Sequence, residues 1–156
     1  MKITAFTDGS ANVKNMLGGF GSYIIFDDGK EKFLSGGVKN TKIGRMEIKA
    51  ILETIKIVPK NIKVELLIYS DSQYCVFSFT KGWLQVWELE NFFGRKNVDL
   101  WRSVLEELRV RPNLTFKIKH VKGHQDNLED PICFGNNVAD KLADYKRFKK
   151  YKKDLF

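Results

Sequence analysis

The sequence predicts an α/β domain built on a mixed β-sheet. Two observations predict it. Three strand-like segments separated by turns come first, and apolar segments with helical and strand periodicity then alternate along the chain. Strands followed by alternating helices and strands are typical of a mixed sheet with packed helices. With 156 residues, the chain has the length of one domain and is long enough to bury a core.

The first half of the chain contains a three-stranded meander and one helix. The strands are expected at residues 2–7, 21–26 and 31–38. A tight turn at residues 27–30 joins the last two strands, as in a hairpin. Residues 43–58 carry apolar side chains at helical spacing, and Pro59 ends that helix.

The second half alternates strands with helices. Residues 63–69 are apolar on both faces of a strand, which indicates a central strand covered on both sides. The other expected elements are helices at 72–80, 82–93 and 98–110, a strand at 114–121, a loop at 122–135 and a last helix from about Asn136. The order lacks an internal repeat or linker, so it predicts one α/β domain with a mixed sheet.

Composition favours a soluble globular protein with an anionic partner. Apolar residues make up 43% and charged residues 29% of the chain, which excludes a disordered protein. No apolar run approaches the roughly 20 residues that cross a bilayer, and the first residues lack a signal-peptide core, so we expect no membrane contact. Cys75 and Cys133 form no CxxC pair, and we expect a reducing, cytoplasmic compartment.

The net charge of +8 is concentrated in a basic C-terminal tail, residues 146–156. Six lysine or arginine residues and Asp154 give this tail a charge of +5, so the rest of the chain is only mildly basic. A basic protein favours a polyanionic partner.

Four acidic residues that are far apart in the chain suggest metal-dependent chemistry. Asp8 and Asp71 end two apolar strands, whereas Glu47 and Asp140 are expected in the first turns of two helices. Sites in open α/β sheets form at the carboxyl ends of strands, so parallel neighbours would bring Asp8 and Asp71 to one edge. Carboxylates gathered in one place either take up protons or bind hard cations.

Each of these acids alone also fits a structural role, because acidic residues favour turns and helix N-termini. Asp126, Glu129 and Asp130 compete with Asp140 for the fourth ligand position, although they lie in a solvated loop. The metal-site hypothesis therefore depends on the four acids together. His120, inside the last strand, fits a structural role.

The motifs around the four acids resemble those of ribonuclease H type 1. The patterns TDGS, RME, SDS with a following Gln and Tyr, VKGH, and Asn-x-x-x-Asp-x-Leu-Ala occur in the family's order. They lie at residues 7–10, 45–47, 70–74, 121–124 and 136–143. The likeness covers about residues 3–145. It implies a catalytic domain at 1–145, with a five-stranded mixed sheet whose first three strands are antiparallel, and helices on both faces.

The resemblance also implies the activity, which is endonucleolytic cleavage of the RNA strand of an RNA–DNA hybrid, leaving 3′-hydroxyl and 5′-phosphate ends. It implies two Mg²⁺ ions, with Mn²⁺ as a substitute, held by Asp8, Glu47, Asp71 and Asp140. Asp8 would bridge both ions, and Asp71 and Asp140 would serve the attacking-water side. Glu47 would hold the second ion and touch the RNA 2′-hydroxyl. His124 would assist proton transfer or product departure.

Further residues match substrate contacts of the family. The candidates are Gln73, Tyr74, Trp83, Trp87, Thr41 and Lys42. The glutamine matches a position that reads the RNA 2′-hydroxyl. The aromatic residues match positions of the DNA-strand channel, although two tryptophans four residues apart also suit a helix core. The threonine and the lysine suit phosphate contacts.

Two departures from the family pattern concern substrate binding. Ile43-Gly44 stands where bacterial relatives carry an Asn pair, so two side chains that read 2′-hydroxyls are missing. The following Lys-rich protrusion of bacterial relatives is shorter here and carries Glu88 and Glu90.

The basic tail is a candidate to replace that protrusion. Phe148, Tyr151 and Leu155 fall at helical spacing, which predicts that the last helix continues through the tail with a lysine-rich outer face. A solvated, frayed tail is the alternative.

Two other function classes remain open. A non-catalytic hybrid-binding module would keep the fold but lose carboxylates, and all four are present. A different two-metal nuclease or strand-transfer enzyme would place its carboxylates in other sequence contexts. The leading hypothesis is a monomeric ribonuclease H whose partner is an RNA–DNA hybrid.

Overall fold

The computed structural model describes residues 1–154 and contains one six-stranded mixed sheet. The strands are β1 (Lys2–Ala11), β2 (Leu17–Phe26), β3 (Glu31–Lys39), β4 (Val64–Ser70), β5 (Leu114–His120) and β6 (Lys152–Lys153). Their order across the sheet is β5-β4-β1-β2-β3-β6. The strands β1, β2 and β3 form an antiparallel meander, whereas β4 runs parallel to β1 and to β5. The predicted mixed sheet is confirmed, with a short sixth strand added.

The helices cover both faces of the sheet. They are α1 (Ile43–Lys56), α2 (Gln73–Thr80), α3 (Trp83–Leu89), α4 (Val98–Arg109) and α5 (Pro131–Ala143), and a 3₁₀ turn spans Tyr145–Arg147. Helices α1 to α4 pack on one face and α5 packs on the other. Within residues 1–154, no helix combines the length and the apolar character that a membrane span requires.

The larger core lies between the sheet and helices α1 to α4. Trp101 of α4 and Ile51 and Ile55 of α1 are fully buried against the strand residues Ile3 and Ile68. Burial of each such side chain contributes about 1.5–3 kcal/mol to folding. This packing fixes α1 against β1 and β2, which places the helix residue Glu47 next to Gly9 of β1.

Glu47 and Asp140 lie deeper in their helices than the sequence predicts. Glu47 is the fifth residue of α1 and Asp140 is the tenth of α5. The expectation of first-turn positions is therefore wrong for both residues, and the positive end of the helix dipole, which acts within the first turn, is not what favours them.

Helix α5 begins at Pro131 rather than at about Asn136. The Asp130 carboxylate caps it by accepting a hydrogen bond of 2.9 Å from the Ile132 N–H. Gly135, which suggests a loop in the sequence, lies inside the helix because the helix touches β1 there. A Cβ atom at this position would come within 2.4 Å of the Phe6 ring.

The prediction of a helical tail is wrong for the described residues. The 3₁₀ turn ends at Arg147, the chain then extends along the edge of β3, and β6 pairs with it in parallel. Phe148 packs against the backbone of β3 at Gly37, where a Cβ atom would lie 2.8 Å from the Phe148 Cβ. Leu155, the third member of the predicted helical stripe, lies outside the described residues.

Candidate active site

Asp8 and Asp71 are brought together by the register of two parallel strands. Thr7 of β1 pairs with Ser70, the last residue of β4. The next residues, Asp8 and Asp71, therefore lie side by side at one edge of the sheet. Strand β1 continues to Ala11 beside β2, whereas β4 ends, which leaves room next to Asp8 for side chains from other elements.

Helices deliver the other two carboxyl groups. Glu47 comes from α1, whose backbone runs very close to β1. A Cβ atom on Gly9 would lie 2.4 Å from the Glu47 backbone nitrogen, so only glycine permits this approach. Asp140 comes from α5, and its carboxyl group hydrogen-bonds with that of Asp8.

The electrostatics of the group are dominated by burial. Asp8 is 7% exposed, and burial together with the negative charge of Asp71 and the hydrogen bond with Asp140 raises its pKa to about 9. The Gly9 N–H donates to Asp8 at 2.8 Å and opposes this shift. Burial also raises the pKa values of Asp71 and Glu47. Without a cation, Asp8 therefore keeps its proton at neutral pH.

The donor set suits a hard divalent cation. Within residues 1–154, no three His, Cys, Asp or Glu side chains already form a closed metal cluster. The carboxyl groups instead interact with one another, Asp8 with Asp71 and Asp140, and Asp71 with Glu47. Mg²⁺ and Mn²⁺ prefer an all-oxygen set, whereas Zn²⁺ prefers nitrogen and thiolate ligands. A cation would offset both the burial and the charge repulsion that raise these pKa values.

The loop after β5 closes against Asp71. A Cβ atom on Gly123 would lie 2.9 Å from Asp71 Oδ2, so the loop passes this carboxylate at the closest distance that glycine allows. The next residue, His124, has a positive φ of 56° and lies close enough for its charge to stabilise the Asp71 carboxylate. The structure thus places the sequence-predicted histidine near the Asp71 carboxylate.

The rival acids lie elsewhere or serve another purpose. Asp130 is the N-cap of α5. Asp126 and Glu129 belong to the preceding loop, and neither is among the groups that shift the pKa values of Asp8, Glu47 or Asp71. The carboxyl group from the last helix that contacts Asp8 is Asp140.

A groove of about 830 Å³ lies between the start of α1 and the loop after α3. Tyr74 and Trp87 line it, with ring centroids 6.3 Å apart. Lys42, Arg95 and Lys96 add positive charge, and the Arg95 guanidinium lies 5.2 Å from the centre of the Trp87 ring. Aromatic faces beside cations form a surface suited to nucleic acid.

The candidate aromatic residues differ in their surroundings. Trp87 is 8% exposed and belongs to the core as well as to the groove. The Tyr74 hydroxyl accepts a hydrogen bond of 2.8 Å from Trp101 Nε1, which fixes the tyrosine from the core side. Trp83 is 36% exposed and packs on Trp87 with ring centroids 6.0 Å apart, but it does not line the groove. Gln73, the first residue of α2, is exposed next to Ser72.

The two candidates for phosphate contacts, Thr41 and Lys42, differ in their exposure to solvent. Thr41 is 1% exposed, and its hydroxyl donates to Asp154 Oδ2 at 2.6 Å, so its side chain is engaged inside the protein and the phosphate-contact prediction is wrong for it. Lys42 is exposed at the rim of the groove.

The RNase H family model matches residues 1–147. The chain is 37% identical over 148 residues to ribonuclease HI of Helicobacter pylori, covering 95% of this chain and 96% of that one. It is 39% identical over 147 residues to ribonuclease H of Chlorobium luteolum, covering 91% and 92%. The solution structure of the prototype foamy virus RNase H domain matches with a TM-score of 0.70 at 27% identity, covering 90% and 91%. The chain belongs to the ribonuclease H family.

Membership in the ribonuclease H family confirms the resemblance in the sequence. The chain is an endonuclease for the RNA strand of RNA–DNA hybrids, and the family is metal-dependent.

Sequence reasoning missed two features of this ribonuclease H domain. Arg95 and Lys96 follow Gly94 in a segment that the periodicity marks only as a break between helices, yet both line the groove. The signal in the sequence that could have identified them is the pair of cationic residues directly after a glycine in a turn. The contact of Arg45 with Asp154 gave no local signal, because the two residues are 109 positions apart.

Proposed function

We propose that Asp8, Glu47, Asp71 and Asp140 hold two Mg²⁺ ions and that this site hydrolyses the RNA strand to 5′-phosphate and 3′-hydroxyl ends. The observation that carries the proposal is the contact of the buried Asp8 carboxyl group with those of Asp71 and Asp140. A buried carboxyl group with a pKa of about 9 is costly to ionise without a counter-charge. A divalent cation supplies that counter-charge.

The four carboxylates have distinct roles in this proposal. When bound, two Mg²⁺ ions activate water and neutralise the charge that develops on the phosphate and on the leaving oxygen. Asp8, which contacts both neighbouring aspartates, would help to hold both ions. Asp71 and Asp140 would hold the ion on the side of the attacking water. Glu47 would hold the other ion and accept a hydrogen bond from the RNA 2′-hydroxyl.

His124 is proposed to move a proton or to assist product departure. Its loop touches Asp71 at Gly123, so the imidazole is tethered next to the carboxylate group and not within it. An imidazole held on a loop beside a carboxylate suits the transfer of a proton during the reaction.

The two strands of the hybrid are proposed to contact different surfaces. Gln73, which is exposed two residues after Asp71, would read a 2′-hydroxyl of the RNA strand. The DNA strand passes along the groove, where Trp87 offers a stacking face and Lys42, Arg95 and Lys96 contact phosphates. Trp83 extends the aromatic surface next to Trp87.

The protein is further proposed to act as a monomer in a reducing, cytoplasmic compartment. Cys75, which is buried, and Cys133 are both free thiols. Size-exclusion chromatography with light scattering checks the monomer at about 18 kDa, the mass of one 18.1 kDa chain.

Digestion of end-labelled duplexes tests the proposal. The protein with Mg²⁺ is incubated with an RNA–DNA hybrid and with RNA–RNA and DNA–DNA duplexes of the same sequence. We expect cleavage within the RNA of the hybrid only, with 5′-phosphate ends, loss of activity in EDTA and recovery with Mg²⁺ or Mn²⁺. Cleavage that persists in EDTA, or equal cleavage of the RNA–RNA duplex, contradicts the proposal.

A further inference from the structure

Two residues of the basic tail form a strand at the edge of the sheet. Lys152 and Lys153 pair with Val38 and Lys39 in parallel register, and the Asp154 N–H donates to the Lys39 carbonyl oxygen at 3.0 Å. Upstream, Phe148 packs on the glycine backbone of β3. Lys152 and Lys153 therefore project from a fixed strand and not from a frayed end.

Hydrogen bonds to the Asp154 carboxylate connect the tail to the start of α1. The Asp154 carboxylate accepts hydrogen bonds from Arg45 Nε at 2.8 Å and from the Thr41 hydroxyl at 2.6 Å. The same arginine forms a two-bond contact with Asp99 of α4 at 3.0 and 2.7 Å. Because Arg45 is 2% exposed, the tail is tied to the interior of the domain.

Four lysines on this strand and just before it are exposed cations. Lys149, Lys150, Lys152 and Lys153 are exposed, and within residues 1–154 no carboxylate lies within ion-pair distance of them. The one acid of the tail in the described residues, Asp154, is bound to Arg45. Like charges held close together without counter-ions favour a polyanion.

The position of the tail connects it to the substrate groove. A cavity of about 1140 Å³ lies between the tail, β3 and α1, and the tail lysines form its rim. Arg45 and Asp99 line both this cavity and the 830 Å³ groove beside Trp87. The cavity and the groove thus flank the Arg45–Asp99 ion pair, and Lys42 borders the groove.

We propose that the tail lysines 150, 152 and 153 bind phosphates of the hybrid substrate beyond the groove, as a second, sequence-independent contact. This inference depends on the proposed function, since the hybrid is its ligand. Phosphate contacts from lysines release counter-ions, and each contact steepens the fall of affinity with salt by a slope of about 0.9 in a log–log plot. The surface adds length to the binding site without adding base recognition.

Hybrid affinity measured by fluorescence anisotropy in EDTA tests this surface without cleavage. The variant carries Lys150→Gln, Lys152→Gln and Lys153→Gln. A control with Lys60→Gln, Lys63→Gln and Lys117→Gln removes the same charge from exposed positions away from the tail. A second variant with Lys→Arg at the three tail positions keeps the charge. Thermal unfolding verifies that all four proteins are folded.

We expect the tail variant to bind a hybrid of about 30 base pairs about tenfold more weakly, with the salt slope reduced by about 2–3, and the arginine variant to bind normally. On a hybrid of about 10 base pairs, one helical turn of about 34 Å, the tail variant and the unsubstituted protein should bind equally. Equal affinity and slope for the tail and control variants on the long hybrid overturn the proposal. Cleavage of the short hybrid by the unsubstituted protein tests the proposed function separately.

Discussion

Asp8 lies beside Asp71 because the residues before them, Thr7 and Ser70, are paired on the parallel strands β1 and β4. A shift of one residue in this register would turn one carboxylate to the opposite face of the sheet. The sheet register, held by buried residues such as Ile3 and Ile68, is thus what sets the geometry of the site.

The substitution Asp71→Asn should remove cleavage and keep hybrid binding. The substitution removes one negatively charged oxygen that can bind a cation, and it preserves the shape of the side chain and its contact with Gly123. Loss of a residue that only supports a metal ligand typically costs about 10–100-fold, so loss of a ligand should lower kcat/KM at least about 100-fold. Initial rates on a labelled hybrid and anisotropy in EDTA provide the two measurements.

The matched control for this substitution is Asp28→Asn. Asp28 lies in the β2–β3 turn, where its carboxylate accepts a hydrogen bond from the Lys30 N–H. This variant should cleave at the unsubstituted rate. Near-normal turnover by Asp71→Asn would falsify the assignment of this residue to the metal site.

The substitution Asp8→Asn should stabilise the metal-free protein at neutral pH. The pKa of Asp8 rises from 3.8 to about 9 on folding, so between these values the native state holds a proton that the unfolded state has lost. Stability contributed by this group is present below pH 3.8 and is lost as the pH rises toward 9. An asparagine does not titrate and escapes that loss.

Urea unfolding in EDTA at a series of pH values measures this effect. The variant and the unsubstituted protein should have equal stability near pH 4, and the variant should gain about 1–3 kcal/mol by pH 8, within the ordinary range for one substitution. Added Mg²⁺ should stabilise the unsubstituted protein more than the variant. A stability difference that does not change between pH 4 and pH 8 contradicts the burial of this carboxyl group.

Local sequence pattern was sufficient for strands β1 to β5 and for selecting the acids that the structure brings together. The apolar segments that end at Asp8 and Asp71 have the strand pattern, and the motif around each acid identifies it without long-range information. The position of Asp140 within α5 was not predictable in this way. Gly135 is a poor helix residue, and it is tolerated there because the Phe6 ring, distant in sequence, leaves no space for a side chain.

The conformation of the tail was even less predictable from the local sequence pattern. Phe148 and Tyr151 have helical spacing, and a local pattern favours a helix. The contact that decides the conformation joins Asp154 to Arg45, 109 residues away, and β6 then pairs with the edge of β3. Tertiary contacts of this kind override weak helical preference, and they are invisible to periodicity.

The substitution Gly123→Ala should slow the enzyme through its effect on the loop. The added Cβ would lie 2.9 Å from Asp71 Oδ2, which forces the loop away from the carboxylate and carries His124 with it. We expect a fall in kcat of about 100-fold with little change in hybrid affinity, similar to His124→Ala, because general acid–base assistance typically contributes about 10²–10⁴-fold.

The control for the loop is Gly29→Ala in the β2–β3 turn. Gly29 has a φ of 88° and nothing within 4 Å of the added atom, so it tests the effect of strain without a clash at the site. That variant should lose some stability and keep its kcat. If Gly123→Ala turns over at the unsubstituted rate while His124→Ala is slow, the close approach to Asp71 is not what positions the histidine.

Removal of the two acids that share Arg45 should destabilise the protein to different extents. Asp154 has a side chain that is 9% exposed and accepts bonds from both Arg45 and Thr41, whereas the Asp99 side chain is 49% exposed. Asp154→Asn should cost about 2–4 kcal/mol, because it removes the charge of a buried carboxylate that is paired with a buried arginine. Asp99→Asn should cost about 1 kcal/mol or less, since solvent screens an exposed pair.

The losses of stability caused by Asp154→Asn and Asp99→Asn should also differ in their dependence on pH and salt. Hydrogen bonds from Arg45 lower the pKa of Asp99, so its stabilising effect is present above its ordinary value of 3.8 and is lost as the pH falls through the lowered value. The cost of Asp99→Asn should therefore vanish in acid and shrink in about 1 M salt, where charges are screened beyond about 3 Å. The cost of Asp154→Asn should persist in salt, because that carboxylate is buried.

Chemical unfolding of both variants at pH 7, with and without salt, measures which substitution costs more stability. A larger cost for Asp99→Asn would reverse the roles assigned to the two carboxylates.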